Sequence, residues 1–131
     1  MTNESIFTKI INGDIPSHKI YEDDDVIAFL DIHPIMPGHT LVVPKKQVEL
    51  TWDLDDDTYT KLMLVVKKIA LHLREKLNVA YVGEQIIGVD VPHAHIHLIP
   101  FTDATDFHKE ADQSLEPDHA ALAKTAELLS L

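Results

Sequence analysis

Apolar positions change period along this chain, and each change marks an element. Ile6, Phe7, Ile10 and Ile11 recur at helical spacing behind Asn3 and Ser5, either of which can cap a helix. Gly13 ends that helix and Pro16 prevents its resumption. Residues 18–22 and 26–31 read as strands flanking the acidic turn Asp23-Asp24-Asp25, a hairpin. Pro34, Pro37 and Gly38 punctuate a loop, and a third strand over 40–43 stops at Pro44. From 55 to 77 the period is that of a long helix. Asp55, Asp56 and Asp57 stand where the helix dipole favours negative charge, and Tyr59, Leu62, Val66, Ile69, Leu73 and Leu77 form one stripe. Met63, Leu64 and Ala70 widen the stripe, as expected of a helix that is either deeply buried or shared between its own sheet and a second subunit. Strands over 80–87 and 95–101 follow, separated by 88–92. The tail, 102–131, is polar until Pro117 opens a short helix over 118–129. Strands dominate without regular β-α-β alternation, which predicts an α+β fold with an antiparallel sheet.

Composition narrows the function. A chain of 131 residues, 45% of them hydrophobic, is read as a single domain with a real core. It has no cysteine, which removes disulfides, thiolate catalysis and cysteine-held zinc, and fits a reducing cytoplasm. The stretch Met1-Thr2-Asn3-Glu4-Ser5 lacks the basic and apolar regions of a signal peptide. Lys67 and Lys68 break the most apolar run, so no membrane span is expected. A formal charge of −11, with basic clusters no longer than Lys45-Lys46 and Lys67-Lys68, argues against polymeric nucleic acid as a partner.

The chemistry is carried by His93-Ala94-His95-Ile96-His97-Leu98-Ile99-Pro100. On a strand, alternation sends Ala94, Ile96 and Leu98 to a core and aligns His93, His95 and His97 on the other face. β propensity would favour Thr, Tyr or Val at merely solvated positions. Two chemical readings remain. Three histidines can hold a catalytic zinc. But His93 and His97 are about 13 Å apart on a straight strand, so that site needs a bend or a third ligand from His39, Asp31 or Asp90. The second reading acts on phosphate without distortion. One imidazole attacks phosphorus while its neighbours hydrogen-bond the oxygens and protonate the leaving group. The turn Gly88-Val89-Asp90-Val91 can offer backbone N–H groups to the same phosphate.

These residues resemble the histidine-triad (HIT) superfamily, whose signature alternates three histidines with apolar residues. The likeness extends in order over roughly residues 5–101. Ile6-Phe7-Thr8-Lys9-Ile10-Ile11, Tyr21-Glu22-Asp23-Asp24, Ala28-Phe29-Leu30-Asp31-Ile32, Pro37-Gly38-His39 and Leu41-Val42-Val43-Pro44-Lys45-Lys46 look like its nucleotide-binding, HINT-like branch. The tail finds no support in it. The resemblance implies a five-stranded antiparallel sheet with two main helices, dimerising into a continuous sheet. It implies hydrolysis of a bond to the α-phosphate of a purine nucleotide, through a nucleotidyl-histidine and without a cofactor. His95 would be the nucleophile, His97 would bind phosphate, and His39 and His93 would hold tautomers and relay protons. Asp31 would accept from ribose hydroxyls. Phe7, Phe29 and Ile32 would enclose the base, with Gly88 and Asp90 near the phosphate. His18, His33, His72, His108 and His119 are read as surface or structural.

The chain departs from the family pattern at the zinc positions, at Val89, where Gln is common, and at Asp90. Many bacterial members carry Cys-x-x-Cys and a further His that bind structural zinc with the first triad histidine. Ser5, Thr8 and Gln47 stand there instead, so no zinc is expected. Asp90 stands where a polar residue often contacts phosphate, and a carboxylate there repels phosphate. That departure motivates an alternative, a nucleotide-binding or interaction protein with little turnover. A zinc hydrolase using the histidine array is the third reading.

Overall fold

The computed structural model describes residues 3–131. Met1 and Thr2, part of the stretch read as lacking a signal peptide, lie outside the described residues. In chain order the elements are α1 (Ile6–Ile11), β1 (Lys19–Glu22), β2 (Val26–Leu30), β3 (Thr40–Pro44), a 3-10 turn (Thr51–Asp53), α2 (Asp56–Leu77), β4 (Tyr81–Gln85), β5 (Ile96–Phe101), α3 (Ala104–Phe107) and α4 (His119–Leu129). The strands form one sheet in the order β1-β2-β3-β5-β4. Every neighbouring pair is antiparallel.

Both faces of the central strands β2, β3 and β5 are buried, and strand alternation sorts their residues between them. Val26, Ala28, Leu30, Val42, Ile96 and Leu98 pack beneath α2 and α4. Ile27, Phe29, Leu41 and Val43 face the other way and meet Phe7 of α1. Register then places a histidine beside the aromatic side, because Phe29 pairs with Leu41 and Leu41 with His97. The helix α2 starts where expected. The Asp55 side chain accepts from Thr58 N–H, with Asp56 and Asp57 in the first turn. It ends at Asn78 in the left-handed conformation, φ 51°. Leu62, Ile69 and Leu73 are fully buried, each worth about 1.5–3 kcal/mol of burial. Among the described residues no helix is long and apolar enough to cross a membrane.

The tail is part of this architecture. Leu122 and Leu129 of α4 enter the α2-side core. His72 donates to the Leu129 carbonyl at 3.0 Å, and Leu131 N–H donates to the Ile20 carbonyl at 2.8 Å. His18 and His119 share one proton across 2.9 Å. Two sequence expectations need correction. The strand expected over 80–87 is confined to Tyr81–Gln85. The last strand starts at Ile96, so His93 lies in a bend and His95 in the irregular backbone that follows it, rather than on a strand face. Both rings are buried and hydrogen-bonded, His93 to the Pro44 carbonyl and His95 to the His93 carbonyl.

Candidate active site

The α1 side of the sheet contains a cavity of about 530 Å³, in the size range of small-molecule sites. Ile6, Phe7 and Ile10 of α1 form one wall, and Phe29, Ile32 and Leu41 another. Phe7 stands edge-on to Phe29 at 5.5 Å and to the His95 ring at 5.1 Å. The polar lining includes Asp31, His33, Asp90, His95, His97 and Gln113. The cavity is therefore apolar at its walls, with its ionisable groups gathered at one end.

Protonation there follows from donors and acceptors whose character is fixed. Ile35 N–H donates to His39 Nδ1 at 3.1 Å, so that nitrogen is bare. Neutral His39 therefore carries its proton on Nε2 and donates it to His97 Nδ1 at 3.0 Å. That places the His97 proton on Nε2, a buried atom with no hydrogen-bond partner among the described residues. Burial lowers the His39 pKa to about 4. Burial, then the neighbouring His39 and His95, lowers His97 to about 4. Both rings are neutral at pH 7. Burial pushes the Asp31 carboxyl up, opposed by the His33 N–H that donates to it at 2.8 Å.

His95 has the opposite tautomer. Its Nδ1–H donates to the His93 carbonyl at 2.7 Å, which leaves Nε2 bare. Its ring centroid lies 5.1 Å from that of His97. The cavity thus holds one imidazole with a free lone pair beside another with an unpartnered N–H.

Asp31, His39 and His97 also bring one ligand atom each within 4.8 Å of one another. The hydrogen bonds do not suit a cation. Ligation through His39 Nε2 would force its proton onto Nδ1, where Ile35 N–H already points. The arrangement fits a fixed donor chain from Ile35 N–H through His39 to His97. Of the extra ligands considered for a zinc reading, Asp90 is not in this group.

The positions linked by resemblance to structural zinc do converge, but with other chemistry. Ser5 Oγ lies 2.7 Å from His93 Nδ1. The Gln47 Oε1 accepts from Ser5 N–H at 2.8 Å and from the Thr8 hydroxyl at 2.6 Å. Two hydroxyls and an amide that satisfy one another, with no thiolate, do not fit zinc.

Most of the expected residues meet. Phe7, Phe29, Asp31, Ile32, Asp90, His95 and His97 line the cavity. His39 and His93 stand behind it, buried. Gly88 does not join them. It turns the chain with φ +85° and lines a smaller neighbouring recess with Leu50, Ala94 and His95. His33, read as surface or structural, lines the cavity, as do Val91 and Gln113. Ile6 and Ile10 were legible as helix partners of Phe7. Nothing local in the sequence marks Gln113, which the fold brings back from beyond β5.

The sequence matches the HIT domain over residues 12–104. It is 43% identical over 104 residues to an uncharacterized HIT-like protein of Borreliella burgdorferi, covering 74% of this chain and 75% of that one. It is 38% identical over 99 residues to the adenosine 5'-monophosphoramidase HNT1 of Saccharomyces cerevisiae, covering 75% of this chain and 63% of that one. Its fold is similar to the crystal structure of a Hit-like protein involved in cell-cycle regulation from Bartonella henselae. The TM-score is 0.86 at 34% identity, covering 98% of this chain and 96% of that one.

Proposed function

Because the chain belongs to the HIT family, we propose that it is a nucleotide hydrolase that cleaves a bond to the α-phosphate of a purine nucleotide, phosphoramidates included. The observation that carries this reading is the bare Nε2 of His95 beside the unpartnered Nε2–H of His97, at the polar end of an aromatic-walled cavity. The monophosphoramidase name of the yeast relative supports the substrate class.

In this reading the base lies among Phe7, Phe29 and Ile32, and Asp31 accepts from ribose hydroxyls. His97 Nε2–H donates to a non-bridging α-phosphate oxygen, which gives that buried proton its missing acceptor. The His95 Nε2 lone pair forms a bond to phosphorus as the phosphorus–nitrogen bond to the leaving amine breaks, and the amine departs with a proton from solvent. The nucleotidyl-imidazolium keeps its Nδ1–H on the His93 carbonyl. Water then adds its oxygen to phosphorus, the bond to His95 breaks, and the water's proton leaves. His95 returns in its starting tautomer, and a nucleoside monophosphate is released. His39 donates to His97 throughout and so holds its proton on the phosphate side. The turn at Gly88 carries Asp90 to the cavity.

The test is AMP release from a lysine-linked AMP phosphoramidate. Quenched reactions should hold acid-labile AMP on His95. His95→Ala should abolish turnover while leaving nucleotide binding measurable, and near-normal turnover by that variant would sink the covalent mechanism. Asp90 supports a second reading, a nucleotide binder with little turnover, because its carboxylate lines the cavity. Measurable affinity without AMP release from any nucleotide conjugate would favour it.

We also propose a homodimer formed through the edge strand β4 and the outer side of α2. Tyr81, Leu64 and Leu71 expose 58%, 63% and 46% of their surfaces there. Met63, in contrast, packs on the core, so Leu71 is the better probe. Sedimentation at micromolar concentration should give a dimer, and Leu71→Glu should shift it toward monomer.

A further inference from the structure

His93 does not line the cavity, yet both of its ring nitrogens are engaged. A carbonyl can only accept, so the 2.7 Å contact to Pro44 O places the His93 proton on Nε2. Its Nδ1 is therefore bare, and the Ser5 hydroxyl must donate to it. The rest of the cluster is forced in turn. Thr8 Oγ1 also lies 3.2 Å from Ser5 Oγ, but the single Ser5 proton is spent on His93. Thr8 then gives its own proton to Gln47 Oε1. Gln47 is held in that orientation because its Nε2 donates to the Asn3 carbonyl at 2.7 Å. Ser5 Oγ accepts Thr8 N–H at 3.0 Å, which caps α1.

One hydroxyl therefore does two things. It starts the helix that carries Phe7 against the His95 ring, and it pins the side chain of His93, the residue whose backbone carbonyl accepts from His95 Nδ1–H. Gln47 accepts the Ser5 N–H and the Thr8 N–H donates to the Ser5 hydroxyl, so Ser5 is held on both sides while its own proton goes to His93. We propose that Ser5, held by Gln47 and Thr8, is a positioning residue that fixes the His95 tautomer through His93 and so keeps His95 Nε2 free to attack. The inference rests on His95 as the nucleophile proposed above. It deepens that reading by giving the neutral polar cluster behind the site a task.

The test separates the cap from the His93 contact. Glycine is tolerated at a helix N-cap nearly as well as serine, so Ser5→Gly removes the donor to His93 while keeping α1. Two-bond 15N–1H spectra of the uniformly labelled full-length protein report the His95 tautomer, with His95→Gln supplying the assignment. The wild type should show Nδ1–H alone. Ser5→Gly should show a mixture with Nε2–H, and its kcat on the lysine-linked AMP phosphoramidate should fall about tenfold with KM little changed. Ser5→Thr, which keeps a hydroxyl and a cap, should restore both. Gln47→Leu should move both readouts the same way by a smaller amount, and gives a second route if Ser5→Gly does not fold. A folded Ser5→Gly with a pure Nδ1–H tautomer and wild-type kcat would overturn the proposal. Failure of Ser5→Thr to restore the tautomer would do the same. If even the wild type turns over no phosphoramidate, the hydrolase reading fails, while the tautomer spectra still decide this one.

Discussion

The two faces of the sheet are built from the same strands and treated differently. Toward α2 and α4, Leu62, Ile69, Leu73, Ile96 and Leu98 make a continuous aliphatic layer under a 22-residue helix. Toward α1, a 6-residue helix covers only Phe7, Ile27, Phe29, Leu41 and Val43. The short helix leaves the 530 Å³ cavity, and the histidines collect at its end. One face thus supplies stability and the other tolerates an unfilled space and an unpartnered polar atom. Buried polar groups without partners are unfavourable, so a fold that keeps one has to be held together elsewhere.

Substitutions that separate stability from chemistry sharpen this contrast. His97→Ala should lower kcat/KM for the AMP phosphoramidate by about 10²–10³, while urea denaturation shows a change within about 1 kcal/mol. Equal losses in both would mean that the cavity side also carries the fold. Leu73→Ala, on the aliphatic side, should cost about 3 kcal/mol in the same denaturation series. The kcat of its folded fraction should stay unchanged.

Acid should act through the cavity side. The folded state holds His39 near 4 against an ordinary value of 6.5. Between those values the unfolded chain binds more protons. The stability from neutral His39 is therefore complete above about pH 6.5 and is lost as pH falls toward 4, by about 2 kcal/mol at pH 5. Denaturation midpoints measured from pH 7.5 to 4.5 should drop across that window. His39→Gln should shrink the drop without abolishing it, because His97 is also held near 4.

The smallest effect expected is at Asp90. Removing its negative charge with Asp90→Asn should lower KM a few-fold, on the order of one screened charge pair, with kcat little changed. An unaltered KM would mean that the carboxylate is turned from the phosphate, and it would weaken the little-turnover reading.

The aliphatic side was legible because its signals are local. The helical stripe over Leu62, Val66, Ile69 and Leu73 and the cap at Asp55 are complete within one segment. On the cavity side, the meeting of Phe7, Phe29, Asp31 and His97 could be read only through the family resemblance. Alternation through His93-Ala94-His95 predicts strand, whereas the backbone there is bent and irregular. The bend there is set by partners far along the chain, Ser5 and Pro44, and by a carbonyl turned toward the next histidine. Alternation of polar and apolar residues, the mark of a strand, can equally arise where every side chain is buried and the polar ones find their own partners. The docked tail depends on similar distant contacts, from His72 to Leu129 and from Leu131 to Ile20, which no local pattern announces.

The cavity is lined by two aspartates and, among the described residues, by no lysine or arginine. A phosphate in it would be held by neutral N–H groups rather than by fixed positive charge. On the proposed reaction, the α-phosphate of a conjugate enters with one negative charge and leaves as a monoester with nearly two. The added charge develops beside Asp31 and Asp90, so hydrolysis itself weakens retention of the nucleotide. Release is then driven by the product's own ionisation, and accumulated AMP should be a poor inhibitor whose affinity rises with salt as the repulsion is screened.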